Sequence, residues 1–568
     1  MKLGGVVMRW QVALLLATGV LALAEGPTTI VDLQQFRRTS SIHVQSAFGK
    51  DSAATLVNLN PAIDAWFLLN VDGRDWHLEN PKPHEAQILL DEKFPSGLVI
   101  VEGKNRYSCD LFGNVLEQGR NSQLIYYGLC GGRLYLRNPA KGKRTALEAA
   151  TEFLRNQVWG GEKVIVLFHH LLEDRYRETG EFGHETEGSA SKATATGRPL
   201  SAMVDAANAD HLIRAANLGI ALESQDAERK GMAPGAWYPA AGNAGIYVSV
   251  MQPNLIAPAI FQSYRRLVST LDHVEATSLV YLIAFDIDRF ELGFALGTAY
   301  PGVGWSDHLL PQMKDSSLPG PDGIGSIAPL VSTGLISPEN GRRTVATFTG
   351  GFKRTHGAFR YGDLALENHG SHYGFIENGV VFSKLQPGLA TIFMPIDGSI
   401  EMKTWMEPDN SLLTGIRFAR QNGVPLIESG APGPLVTRWG PGNWSGSEDE
   451  KLRTIRAGIA MQSSALQPGK AKRFLIYAVF SDATPSAMAR VFQAYQCNYA
   501  MLTDMNALEH TYLAVYRRSG AEMSVEHLLS GMSVLDQSES GHVIPRFLGY
   551  PDNRDFFYVM RRDKEIKR

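Results

Sequence analysis

The sequence predicts an α+β protein: an N-terminal all-β, sandwich-like module followed by a larger α+β domain with a mixed sheet. Three observations carry that expectation. Turn dipeptides that favour positive φ recur between short apolar runs, at Asp72-Gly73, Gly131-Gly132, Asn378-Gly379 and Asp397-Gly398. Late in the chain the pattern changes to strand, helix, strand over 473–504. At 568 residues the chain is also too long for one core, so more than one domain is expected.

The elements follow in chain order. Lys2 and Arg9 flank the start of an apolar stretch at 12–24, and Ala22-Leu23-Ala24 before Glu25 fits a small-residue cleavage site. Residues 1–24 are therefore expected to be a signal peptide. The apolar run is shorter than the ~20 residues that cross a bilayer. The expected location is secreted or periplasmic, with no stable membrane span after cleavage. The alternative is an uncleaved anchor.

Residues 25–175 read as a β-rich module with a C-terminal helix. The stretches 65–78 and 124–138 are each two strand-like runs around a turn dipeptide. Residues 145–161 read as a helix, with Thr145 and Glu148 as a capping box and Gly160 as its stop. A strand-like run follows at 162–172. Cys109 and Cys130 fall in this module and could pair in an oxidising compartment. Three buried thiols, including Cys497 in its apolar setting, are the alternative reading. Residues 176–200 are small and polar and read as a linker. Residues 201–235 read as a helical connector, with a short helix at 209–222.

Residues 236–568 form the larger expected domain. Strand-like runs stand at 245–251, 277–287 and 342–350, and hairpins at 372–385 and 389–405. Strands 456–462 and 473–480 precede a helix at 484–496, where Thr484 is the cap and Pro485 the first helical position. Met488, Val491, Phe492 and Tyr495 recur at helical spacing. The run 498–504 then reads as a strand ending on Asp504.

Charge and motifs exclude several functions. Lys+Arg 55 against Asp+Glu 58 leaves a net charge of −3, without the basic domain of a nucleic-acid binder. No nucleic-acid partner is expected. There is no G-x-S-x-G, no P-loop and no CxxC. His369 and His372 have an HxxH spacing, but no third ligand is fixed, so no metal site is expected and the cofactor is unknown.

The chemistry-bearing residues are few. Gly350, Gly351, Phe352, Lys353, Arg354 and His356 place permissive backbone beside dense positive charge. Successive N–H groups there can form an anion-binding nest, with Lys353 and Arg354 adding charge. A glycine turn with a solvated basic rim is the other reading. Asp504 ends a buried strand, where a ligand crevice can open, or else it caps its own turn. Arg456 opens a strand, and the helix N-terminus at Thr484 could attract an anion. His510 and His356 are candidate proton carriers near neutral pH.

In this order the residues resemble the phosphodiester glycosidase domain family. A strand ending Gly-Gly-Phe comes first, then a hairpin at Asn378-Gly379, a strand starting Arg456-Ala457-Gly458-Ile459, a helix opened by Thr484 and a strand ending in Asp504. The resemblance covers roughly 240–515, most convincingly 342–390 and 454–507. Thr349 stands where the family has Asn, and Met505-Asn506-Ala507 replaces its glycine run. The resemblance implies hydrolysis of a glycosidic or phosphodiester bond in an extracytoplasmic glycan. It implies Asp504 and Arg456 as catalytic, and Gly350, Gly351, Phe352 and Thr484 as contacts to a glycan or sugar-phosphate ligand. The residues themselves add His510 as a catalytic proton carrier, and Lys353 and His356 as further ligand contacts. The rival expectation is a relative that binds an envelope glycan, or scaffolds an export complex, without turnover.

Overall fold

The computed structural model describes residues 28–45, 51–144, 182–183, 197–306, 309–354, 374–439, 453–464, 471–520 and 522–562. The expected signal peptide, the helix at 145–161 with its following strand, most of the linker, and His356, His369 and His372 lie outside the described residues.

Two sheets make the N-terminal part. Strands Arg38–Gln45, Asp51–Asn58, Trp66–Val71 and Arg74–Glu79 are successive neighbours, and Leu134–Arg137 and Tyr126–Leu129 complete six. Strands Ala86–Leu89, Gly97–Glu102 and Asn105–Asp110 form the second sheet. Ile42, Leu56, Phe67 and Leu78 from one sheet share a core with Ile88, Leu98 and Ile100 from the other. Alternation explains the facing: in Ala86–Leu89 the first and third residues are buried and the others exposed. Asp72 and Gly73 turn the hairpin at φ 53 and 75, mirror-image values that match strand twist. A disulfide joins Cys109, on a strand, to Cys130 in the connection after Tyr126–Leu129, with Cα atoms 5.4 Å apart.

The larger part stacks two sheets under one helix. An eight-stranded sheet runs in the order Tyr238–Pro239, Ile246–Met251, Val280–Asp286, Lys472–Ala483, Thr454–Ser464, Cys497–Met505, Pro425–Glu428, Ala431–Pro432. A six-stranded sheet includes Leu513–Ser519, Thr344–Thr349, Phe556–Arg561 and Phe290–Ala295 as neighbours. The two face each other through rings such as Phe348 and Tyr477, whose centroids are 4.7 Å apart. The helix Pro485–Ala494 covers the far face of the eight-stranded sheet. Glycine at 458 permits that approach, because a Cβ there would lie 3.0 Å from Met488 Cε. A five-stranded sheet, including Ile416–Gln421, Ala390–Pro395 and Phe375–Glu377, flanks the pair.

This corrects the expected α+β class. The protein is mostly β, and each ladder between described strands is antiparallel, so the sheets are not mixed. The strand–helix–strand pattern over 473–504 carried the expectation of a mixed sheet. In the structure Thr454–Ser464 lies between Lys472–Ala483 and Cys497–Met505 and pairs antiparallel with both. The helix thus links strands that share a direction but are not neighbours. Over 209–222, where a helix was expected, the chain forms two short strands, Leu212–Ile213 and Leu218–Gly219.

Among the described residues no helix is long and apolar enough to cross a membrane.

Candidate functional site

One register shift decides which way Asp504 faces. Arg456 pairs with Met505 and Gly458 with Leu502, so Thr503 and Asp504 together oppose Ala457. Such a bulge re-aims the residues that follow it. Met505 meets Arg456, whose Nη1 donates to Met505 Sδ at 2.8 Å and whose Nε donates to Ala483 O at 2.7 Å. The Asp504 carboxylate turns instead to Arg554, whose Nη1 donates to Oδ2 at 2.7 Å, and Oδ1 accepts from Met505 N at 2.8 Å.

Arg554 holds a second partner. Its Nη2 donates to His510 Nε2 at 2.6 Å, and His510 Nδ1 donates to Met505 O at 2.7 Å. Guanidinium can only donate and a carbonyl can only accept. His510 is therefore fixed as the neutral tautomer with its hydrogen on Nδ1. One arginine bridges a carboxylate and an imidazole on opposite sides of a tight turn.

The Gly350-Gly351 segment comes to the same region from the six-stranded sheet. Gly350 N donates to Asp555 O at 2.9 Å. Phe352 N donates to Asn422 Oδ1 at 3.2 Å. Arg420 Nε donates to Asp555 Oδ2 at 2.7 Å, and its Nη2 to Phe352 O at 2.7 Å. Asn422 Nδ2 donates to Leu502 O at 2.7 Å and Thr503 O at 2.6 Å, joining this segment to the Asp504 strand. Tyr300 adds its hydroxyl, donated to Gly351 O at 3.2 Å.

That geometry gives these glycines a reason. A Cβ at 350 would lie 2.6 Å from Asp555 Oδ2, and one at 351 would lie 3.0 Å from Arg420 Nη2. Both positions bring bare backbone against a buried ion pair, and the amides of 350 and 352 already bond to the chain's own acceptors. Gly350→Ala is expected to cost about 1–3 kcal/mol, because the carboxylate that must give way is held by Arg420. Urea unfolding measures it, and a loss within error of zero would contradict this packing.

The basic residues after the glycines are not a solvated rim. Arg354 is fully buried, and its Nη2 donates to Asp322 Oδ2 at 2.7 Å, an oxygen that also accepts from Ser383 Oγ at 3.1 Å. Lys353 is buried too. At the helix N-terminus, Thr484 N donates to Glu275 Oε1 at 2.7 Å, so the chain's own carboxylate occupies the anion position. Arg456 belongs to this neighbourhood: burial lowers it to about 10, while Glu275 and Asp482 act to raise it. The structure thus brings Asp504, His510 and the 350–352 backbone together, and directs Arg456 and Thr484 to a different set of partners.

Burial sets the electrostatics. It raises Asp504 from the ordinary 3.8 to about 6, against the opposing pull of Arg554. Asp555 is raised by the same cause, with Arg420 opposing. For both acids the protonated form is favoured in the folded state. Their contribution to stability is full below the ordinary carboxylate range and, for Asp504, is lost as pH rises through about 6.

Sequence reasoning missed Arg420, Asn422, Tyr300, Arg554 and Asp555. The visible signal was Asp552-Asn553-Arg554-Asp555, a dense polar quartet placed directly before the apolar strand Phe556–Arg561. Among the described residues no group of three or more His, Cys, Asp or Glu could hold a metal.

No family model and no curated protein matches the chain. Among solved structures it is similar to the catalytic domain of zebrafish N-acetylglucosamine-1-phosphodiester alpha-N-acetylglucosaminidase, auto-inhibited by its pro-peptide. There the identity is 10%, over 57% of this chain and 85% of that one, with a TM-score of 0.30. It is also similar to a hypothetical protein from Synechocystis, at 11% identity over 92% of this chain and 99% of that one, with a TM-score of 0.26.

Proposed function

We propose that the protein is an exported hydrolase acting on a glycosidic or phosphodiester bond of an extracytoplasmic glycan. The observation that carries this reading is the Arg554 bridge between Asp504 and His510. Asp504, ionised above about 6, serves as base or nucleophile at the anomeric carbon. Arg554 keeps that carboxylate charged in dry surroundings and stabilises negative charge on a leaving phosphate. His510, neutral and bonded at both nitrogens, positions Arg554 rather than carrying the proton.

The expected result is release of sugar from a sugar-1-phosphodiester panel by the purified protein, rising with pH through about 6. Asp504→Asn is expected to lower kcat by roughly 10²–10⁴-fold while a melting curve shows it folded. Equal rates in the two proteins would remove Asp504 from the chemistry.

A second reading is a glycan-binding or envelope scaffold protein without turnover. It is favoured by the burial of Asp504, only 4% exposed, and by the internal hydrogen bonds of the 350 and 352 amides. Saturable binding of sugar phosphates with no release from any of the panel selects it over the first.

A further inference from the structure

The seam between the N-terminal sheets and the rest of the chain is built around buried charge. Glu79 and Arg137 come from the six-stranded N-terminal sheet, and both side chains are almost fully buried as an ion pair. Arg137 lies over Trp66, its guanidinium carbon 3.9 Å from the ring centroid, and its Nη2 crosses the seam to donate to Val331 O at 3.2 Å. Val331 N returns a hydrogen bond to His77 Nδ1 at 3.0 Å. Tyr126 OH donates to Leu335 O at 2.9 Å. Asn60 Nδ2 donates to Gly379 O at 3.2 Å.

Glu377 faces this seam from the other side. It ends the strand Phe375–Glu377, is 5% exposed, and accepts from Leu296 N at 3.1 Å through Oε2. Arg137 and Glu79 from the N-terminal part act on it directly, and it acts in turn on Tyr126 and on Tyr558 from Phe556–Arg561. Beyond these, His77 feels Arg137, and Arg417 from Ile416–Gln421 acts on Tyr558. Burial keeps His77 well below its ordinary value and both tyrosines above theirs, so these three stay neutral. Arg137 is shared between two acids, and its ion-pair partner is Glu79. An ionised Glu377 therefore leaves a buried negative charge without a paired cation, which is costly in a dry interface.

We propose that this seam is a proton-dependent clasp, closed while Glu377 is protonated and loosened when Glu377 loses its proton. The direction follows from burial, which raises Glu377 from the ordinary 4.5 to about 7. The clasp is at full strength below the ordinary glutamate range and weakens as pH rises through about 7. The two ends of the seam are the loop 331–335 and the turn at Asn378-Gly379 with the start of the strand Val380–Ser383, so loosening exposes their amides.

Hydrogen exchange on the full chain tests this, at about pH 5.5 and about pH 8.5, with rates corrected for intrinsic exchange. Opening of 134–137, 331–335 and 379–381 is expected to be roughly tenfold more frequent at the higher pH. Glu377→Gln keeps an acceptor for Leu296 N and mimics the protonated acid, so its opening is expected to be the same at both. Glu79→Gln frees Arg137 for Glu377, and the pH response is expected to shrink several-fold. A wild-type profile that ignores pH overturns the clasp without reference to any variant. So does a Glu377→Gln profile that keeps the wild-type slope.

Discussion

Arg420→Met is expected to cost about 3–5 kcal/mol of folding free energy. Arg420 and Asp555 are fully buried, and the Nε bond between them spans 135 positions of sequence. Removing the cation leaves the Asp555 carboxylate in a dry site, where burial already pushes its protonation upward. It also strips a donor from Phe352 O. Met fills much of the same volume, so the loss reports the unpaired charge rather than a cavity. Denaturant unfolding measures it. Adding Asp555→Leu is expected to recover part of the loss, because replacing both partners of a buried pair is far milder than breaking it. A single-variant loss under about 1 kcal/mol would mean that water reaches Asp555.

Arg554→Met is expected to show a loss of similar size with a distinct pH signature. Asp504 already sits near 6 with Arg554 in place. Without that guanidinium its protonated form is favoured further, so ionisation costs more and begins at higher pH. The gap to wild type in urea unfolding is therefore expected to be wide at about pH 8 and to narrow by about pH 5. His510 Nε2 loses its donor in both conditions, which sets the part of the loss that pH does not touch. An equal loss at both values would show that Arg554 acts through packing alone. If the protein turns over a glycan, the acid limb of its pH–rate profile moves upward in the same variant.

Local features were legible because their causes are local. Asn378-Gly379 turns at φ 48 and 79, the region where few other dipeptides are comfortable. Thr484 caps its helix by accepting from Ala487 N at 3.3 Å, and Pro485 sits where its missing N–H costs nothing. The candidate site was legible only in part. Asp504 and Gly350 were visible as a strand-ending acid and a strand-ending glycine. Their partners were not, since Arg554 reaches Asp504 across 50 residues, Arg420 and Asn422 reach Phe352 across 68 and 70, and Asp555 lies farther still from Gly350. The basic pair after the glycines was open between an anion site and a solvated rim, because nothing nearby in sequence announces Asp322 as the partner of Arg354.

The amino-acid order alone determined the hairpin turns, the helix start and the alternating strands, since each depends on backbone preferences within a few residues. Only the folded chain decided the sheet order, the bulge opposite Ala457 and the split between the partners of Arg456 and those of Asp504. A strand's neighbours are chosen by the burial of whole faces, and one inserted residue reverses the face that a side chain takes.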